Sequence, residues 1–342
     1  MKTNDSLRVA AAQIAPVWLN RAATLDRVVE RIEEAGQQGV DLLAFGECLV
    51  PGYPFWVERT DGARFGTSLQ QELFAHYVDQ AVDIEAGHLD CVLEAAREHR
   101  VAVVLGILER PAARGQSVYA CAVSIGPDGA IRATQRKLMP THEERLVWAI
   151  GDGHGLRTWR LEPFTLGVLN CWENWMPLAR ASLHAQGEDL HVAIWPGNPH
   201  NTAEITRFMA LEGRSYVLSV SGLMRAADLP SDLPAGPVLR AAAGDMPWAA
   251  GGSCLAGPDG GWLIEPVENE QGLFIAEIDH GQVRRARHNF DPSGHYSRPD
   301  VLRLQIDRTR QRSASFLDQD SPGSRGTTVT QADVPSRDGF DS

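Results

Sequence analysis

The sequence predicts an α/β protein in which helices cover a mixed sheet or a pair of sheets. Three observations carry this expectation. Short apolar runs alternate with amphipathic stretches through the first two thirds of the chain. Several of those runs are apolar almost without a break, as strands covered on both faces are. Two Gly-Pro-Asp-Gly turns, at 126–129 and 257–260, join neighbouring strand-like runs, so antiparallel pairs accompany the parallel ones.

Residues 7–14 form the first strand-like run. Residues 20–38 follow, with Leu25, Val28, Val29, Ile32 and Ala35 on one helical face. Residues 41–46 read as a short buried strand, 84–99 as a helix and 101–108 as a strand. Residues 118–125 and 131–136 flank the first Gly-Pro-Asp-Gly turn, where the proline fixes one φ and the last glycine permits a positive one. Residues 164–170 are nearly continuous in apolar character. Asn174 is the expected N-cap of a helix reaching residue 186, with Pro177 in its first turn. Residues 192–195, 202–213 and 216–221 read as strand, helix and strand. The second Gly-Pro-Asp-Gly turn joins 252–256 to 262–264.

The 342 residues show no short repeat and no clean linker before residue 290, so one domain over 1–312 is expected. Residues 225–247 carry four prolines and little periodicity, which suggests a long surface loop with a functional or interface use. Residues 313–342 are rich in Ser, Asp, Gly and Thr and are expected to be a disordered tail. Basic residues number 32 against 44 acidic ones, a net charge of −12 that argues against nucleic acid or an anionic membrane as partner. No apolar run approaches the roughly 18 residues of a membrane span, and residues 1–6 carry no hydrophobic leader. A cytoplasmic enzyme is therefore expected. The five cysteines, Cys48, Cys91, Cys121, Cys171 and Cys254, are odd in number and contain no C-x-x-C, and the 11 histidines form no H-x-x-x-H. Neither a disulfide framework nor a metal site is indicated.

Three positions could carry chemistry. Cys171 ends a buried strand just before a helix start, where functional groups collect and where a thiolate is favoured; a structural cysteine is the alternative. Glu47 ends the strand 41–46 ahead of a Pro-Gly turn, placed to act as a general base or to remain an exposed carboxylate. Lys137 ends the strand 131–136, able to hold a developing negative charge or to be a solvated strand end. Nearby, Glu143, Glu144 and Arg145 could be no more than a charged surface loop.

Together these segments resemble the nitrilases of the carbon–nitrogen hydrolase superfamily. FGECLVPGYPFW (45–56) is similar to the segment around the catalytic glutamate, RKLMPTHEER (136–145) to that around the lysine and NCWENWMPLAR (170–180) to that around the cysteine. WPGNPHNT, ITRFMALEGRSYVLSVSGLM and NFDPSGHYSRPD are also nitrilase-like, and the resemblance covers about residues 7–304. In one place the chain departs from it: Val57-Glu58-Arg59-Thr60-Asp61 stands where many relatives carry a more apolar run.

The resemblance implies a four-layer αββα sandwich. It implies Cys171 as nucleophile, Glu47 as general base, Lys137 as electrostatic stabiliser and Glu144 as a second active-site glutamate. It also implies Tyr53, Trp148 and Trp172 as walls of a substrate pocket. No cofactor or metal is implied. The expected substrate is a small-molecule nitrile, cleaved to a carboxylic acid and ammonia, and the expected assembly is a homo-oligomer, from dimers to spirals. An amide hydrolase with the same residues is the nearest alternative. A cyanide-degrading relative is another, although Asn174, three residues after the cysteine, fits general nitrilases better. A catalytically silent scaffold is the third. The other four cysteines are expected to be packing residues.

Overall fold

The computed structural model describes residues 5–314. The chain opens with β1 (Ser6–Gln13), α1 (Arg21–Gln37) and β2 (Leu42–Phe45). Asn20 starts α1 by accepting the Ala23 amide on its side chain. Three helices follow, α2 (Trp56–Arg59), α3 (Ser68–Asp79) and α4 (Asp90–His99), before β3 (Ala102–Glu109) and the hairpin of β4 (Tyr119–Ile125) and β5 (Ile131–Arg136). Next come β6 (Trp159–Leu161), β7 (Phe164–Asn170), α5 (Pro177–His184), β8 (Leu190–Trp195), α6 (Pro199–Gly213) and β9 (Tyr216–Ser221). β10 (Leu223–Met224), α7 (Gly236–Ala242), β11 (Ala249–Ala256), β12 (Trp262–Glu268), β13 (Gly272–Asp279) and α8 (His280–Ala286) complete the described elements.

The strands form two sheets. One runs β13-β1-β2-β3-β4-β5, and the other runs β10-β11-β9-β8-β7-β6 with β12 also on β11. β1, β2 and β3 are parallel, as are β7, β8 and β9. Successive side chains on a strand point to opposite faces, and this alternation builds the layers. Val9 and Ala11 meet Val168, Val192 and Leu218 of the other sheet in one core. Ala10, Ala12 and Leu43 pack outward against Val28, Ile32 and Val92 of α1 and α4. On the far side Ala193 and Val217 pack on Ile205 and Met209 of α6. Each sheet thus has one face on the other sheet and one under helices, which is why its central strands are apolar without a break. This is the four-layer αββα arrangement expected above.

The structure departs from the sequence reading in several places. α2 and α3 lie in a stretch to which no element was assigned, and α4 starts six residues later than expected. Asn174 is not a helix cap: Met176 occupies that place at α5, and Asn174 is buried in the turn before it. The 225–247 segment is not only a surface loop, since it contains α7 and buries Leu229, Leu233 and Leu239 against Trp18, Trp56 and Trp248. Cys91 is exposed, whereas Cys48, Cys121 and Cys254 are buried as expected. One compact unit ends at Gln311. The tail expected from residue 313 lies, apart from 313 and 314, outside the described residues.

Candidate active site

Glu47 leaves β2 at the point where the two sheets touch. Its N–H donates to the carbonyl of Trp195, the last residue of β8, at 3.0 Å. The turn can lie this close to β3 only because residue 106 is glycine: a Cβ there would stand 2.1 Å from the Gly46 carbonyl and 2.6 Å from the Cys48 nitrogen. Cys48 itself sits in the left-handed region, with φ 49°. Glu47 is therefore fixed from both sheets, and its side chain is buried.

Lys137 follows β5 and donates its N–H to the Ala120 carbonyl at 2.8 Å. Its ammonium lies 2.7 Å from Glu144 Oε2 and 2.9 Å from Glu47 Oε1. Arg136, one residue earlier, is locked by a bidentate pair to Glu109, both contacts 2.6 Å. Glu144 belongs to a 3-10 turn, His142–Leu146, opened by a capping box in which Thr141 accepts the Glu144 amide. In return Glu144 Oε2 accepts the Thr141 amide at 2.6 Å, and Oε1 accepts the Tyr53 hydroxyl at 2.8 Å. Of the two adjacent glutamates, Glu144 is the one in contact with Lys137.

Cys171 ends β7 and opens the turn Cys171–Trp175 with φ 48°, unusual for a side chain with a Cβ. Such a conformation costs about 1–3 kcal/mol and persists only where its surroundings hold it. Asn174 does so, donating Nδ2 to the Cys171 carbonyl at 2.8 Å while its Oδ1 lies 2.8 Å from His191 Nε2. Arg180 in turn donates to the Asn174 carbonyl at 2.8 Å. The Trp172 N–H is directed at the Cys171 sulfur. Glu173 is buried and joins two loops: Oε1 accepts the Leu138 amide at 2.5 Å and Oε2 the Asn170 amide at 2.6 Å.

Glu47, Glu144 and Cys171 each place one oxygen or sulfur within 4.8 Å of the others. Such donors could in principle hold a metal, but the cation between the two carboxylates is the Lys137 ammonium. Burial pushes the Glu47 carboxyl up to about 8, against the pull of Lys137 and with help from Glu144. Burial also raises the Cys171 thiol well above its ordinary range, again opposed by Lys137. Burial works against the charge on Lys137, yet Cys171, Glu47 and Glu144 together raise its pKa. At neutral pH the resting site therefore holds an ammonium, a thiol and a protonated Glu47. Glu47 Oε1 lies at ion-pair distance from the Lys137 ammonium, whose pull opposes the effect of burial.

A cavity of about 230 Å³ opens onto Cys171 and Glu144. Tyr53, Phe55, Trp172, Trp195 and Trp248 form its aromatic wall, and Glu58, Glu143, Asn198 and Asn201 its polar lining. Tyr53 and Trp172, which the resemblance implies as pocket walls, are among the residues lining this cavity. Trp148 does not line the cavity. It packs edge-on against Tyr53 at 5.3 Å, donates Nε1 to Tyr77 and lies 5.3 Å from the Lys137 ammonium, one layer behind. Sequence reasoning missed Phe55, Trp195, Trp248 and Glu173 as site residues. Trp195 could have been found, since it ends the strand beside the one that carries Cys171.

Residues 8–288 match the protein family described as carbon-nitrogen hydrolase. The chain belongs to the carbon–nitrogen hydrolase family. Among similar proteins, Nitrilase 2 from an unknown prokaryotic organism is 37% identical over 313 residues, 91% of this chain and 96% of that protein. An aliphatic nitrilase of Rhodococcus rhodochrous is 35% identical, covering 89% of this chain and 83% of that one. An arylacetonitrilase of Aspergillus niger is 35% identical, with 92% of each chain covered. Among solved structures, a carbon-nitrogen hydrolase from Helicobacter pylori superposes with a TM-score of 0.65 at 17% identity, covering 87% of this chain and 97% of that one. At that identity the likeness speaks for the fold alone. The two-sheet sandwich is thus the fold of a carbon–nitrogen hydrolase.

Proposed function

We propose that this carbon–nitrogen hydrolase is a nitrilase, converting organic nitriles to carboxylic acids and ammonia with Cys171 as nucleophile. The observation that carries this reading is the Lys137 ammonium held between Glu47 and Glu144 beside the Cys171 thiol. The relatives named nitrilase, at 32–37% identity over most of the chain, support the nitrile as substrate.

A nitrile carbon is a weak electrophile, and a covalent route divides one hard step into easier ones. Glu47 in its ionised form takes the Cys171 proton as sulfur bonds to the nitrile carbon. Lys137 and the Trp172 N–H stabilise the charge that develops on nitrogen, and Glu47 delivers the thiol's proton to it, giving the thioimidate and returning Glu47 to its ionised form. A water deprotonated by Glu47 adds to that carbon, and the tetrahedral intermediate expels ammonia, leaving a thioester. A second water cleaves the thioester, releasing the acid and returning the thiol. Glu144 holds Lys137 in place and shares its charge. Expulsion of sulfur instead of ammonia from the same intermediate would give an amide, so some amide product is chemically close.

Assembly as a homo-oligomer and a cytoplasmic location belong to the same reading. Exposed Trp175, Leu178 and Phe208 provide apolar surface of the kind that subunit contacts bury. The five cysteines are all free and no helix among the described residues is long and apolar enough to cross a membrane. The deciding experiment is ammonia release from aliphatic, aryl and arylacetonitriles, with the matching amides as controls. Release from nitriles supports the reading, and release from amides alone replaces it with amide hydrolysis.

A further inference from the structure

The chemistry of the cavity lining is one-sided. Glu58, Glu143 and Glu144 line it, and no lysine or arginine is among its lining residues. Lys137 stands behind that wall, its ammonium paired with the Glu144 carboxylate and 2.9 Å from Glu47. Glu58 is exposed, and its side chain has no ion pair with a described residue. Glu143 is half-buried, with Oε1 3.2 Å from the Tyr53 hydroxyl and Oε2 2.9 Å from His142. The aromatic wall adds to this. Tyr53 and Phe55 are 4.8 Å apart at 49°, and Phe55 and Trp248 are 5.8 Å apart at 58°, so three rings tilt in succession beside the acidic groups. Tilted aromatic faces next to carboxylates attract cations through the ring quadrupole. One ring of this wall, Trp248, already carries a cation from outside the lining, the Arg59 guanidinium 5.3 Å from its centroid, which leaves Tyr53 and Phe55.

We infer that this cavity selects its substrate by charge, admitting neutral nitriles and those bearing an ammonium group and excluding those bearing a carboxylate. The inference rests on the nitrile reading above for the identity of the substrate, but the charge filter itself is a property of the cavity. An approaching carboxylate meets Glu58 and Glu143, the charge of Glu144 being paired with Lys137, and the one nearby guanidinium, Arg59, is not among the lining residues, whereas an ammonium finds carboxylates and aromatic faces together. If the buried Lys137 dominated the field instead, the order would be reversed. Glu58 and Glu143 are then specificity-determining residues rather than catalytic ones.

Two measurements on the full chain test this at low ionic strength, where charge effects are least screened. The first is alkylation of Cys171 by neutral iodoacetamide, anionic iodoacetate and cationic 2-bromoethylammonium, each rate divided by that of a free neutral thiol. In each case the thiolate forms a carbon–sulfur bond and the halide leaves. Iodoacetate should be at least about tenfold slower than iodoacetamide on this scale, and 2-bromoethylammonium at least as fast; the Glu58→Gln/Glu143→Gln double variant should bring the three within about threefold. The second is kcat/KM for pentanenitrile, 4-aminobutanenitrile and 4-cyanobutanoate, expected to show the carboxylate poorest by a similar factor. Equal normalised rates for iodoacetate and iodoacetamide, or a ratio untouched in the double variant, overturn the charge filter. Failure to hydrolyse pentanenitrile and every aryl and arylacetonitrile of the series above would instead remove the nitrile reading, and the alkylation rates would still decide the filter.

Discussion

Glu173 accepts the amide of Leu138 on one carboxylate oxygen while its other oxygen accepts the amide of Asn170. Leu138 follows Lys137 and Asn170 precedes Cys171, so one buried side chain sets the spacing of Lys137 and Cys171 across the two sheets. Glu173→Gln keeps the shape but turns an NH2 toward one of these two N–H donors. A buried donor left without a partner costs about 1–3 kcal/mol, and a misplacement of about 1 Å at a reacting group can cost about 10²-fold in rate. The variant should fold, melt earlier and lose about 10–100-fold in kcat with little change in KM. Steady-state kinetics beside a thermal melt check this, and an unchanged kcat would show that the clamp positions nothing.

Glu47 should show a conflict between catalysis and stability. Burial raises its carboxyl from the ordinary 4.5 to about 8 in the folded chain. The folded state then retains a proton that the unfolded state releases, so this group's contribution to stability is present below about 4.5 and is lost as pH rises through about 8. Glu47→Gln removes the slope. The variant should match the wild type in melting temperature near pH 5 and exceed it near pH 8.5, while kcat falls about 10²–10⁴-fold. Calorimetry across that range would be inconsistent with the assignment if the wild type still matched the variant near pH 8.5.

The same shift sets the pH dependence of turnover. The general base must be ionised before it can take the thiol proton, so kcat/KM for a neutral nitrile should rise with pH through about 8. Cys171 is raised in the same direction by burial, which keeps the rise from moving to lower pH. A rate profile that is flat from pH 6 to 9 would contradict the protonated resting state of Glu47.

Cys171→Ala should fold normally and release no ammonia from any nitrile. The Asn174 hydrogen bond to the residue 171 carbonyl does not depend on the sulfur, so the left-handed turn has the same support in the variant. Measurable hydrolysis by this protein, with contaminating activity excluded by a mock preparation, would end the covalent mechanism.

Trp248 closes the aromatic wall and is anchored by its Nε1 donating to the Ala243 carbonyl at 3.0 Å. Trp248→Ala should lengthen the cavity, raising relative kcat/KM for bulky arylacetonitriles over short aliphatic ones. Its stability should fall by about 3–5 kcal/mol, as large aromatic truncations in a core do. A substrate series on the variant reads the first effect and denaturant unfolding the second.

Much of the site was legible because its residues lie at strand ends. Glu47, Lys137 and Cys171 each follow an apolar or alternating run that ends abruptly, and position in such a run is a local property of the chain. Between Glu143 and Glu144 the residues by themselves offered no choice, and only the resemblance pointed to Glu144. Both follow Thr141 within three residues, and only the capping box turns Glu144 inward to Lys137. Trp148 shows the opposite error: it lies close to the catalytic segment in sequence, yet Tyr53 stands between it and a place in the cavity wall.

By itself the sequence determined the α/β class, the alternation that puts helices over one mixed sheet or two, and the candidate nucleophile, base and cation. These follow from periodicity and from side-chain chemistry, which are carried within short segments. Only the tertiary structure decided how those groups meet. The hydrogen bond from Glu47 to Trp195 spans the two sheets, the Glu173 clamp links residues 138 and 170, and the wall of Phe55 and Trp248 brings together segments nearly two hundred positions apart. The raised carboxyl of Glu47 has the same origin, because burial among Lys137, Glu144 and Cys171 exists only after the two sheets have closed on one another.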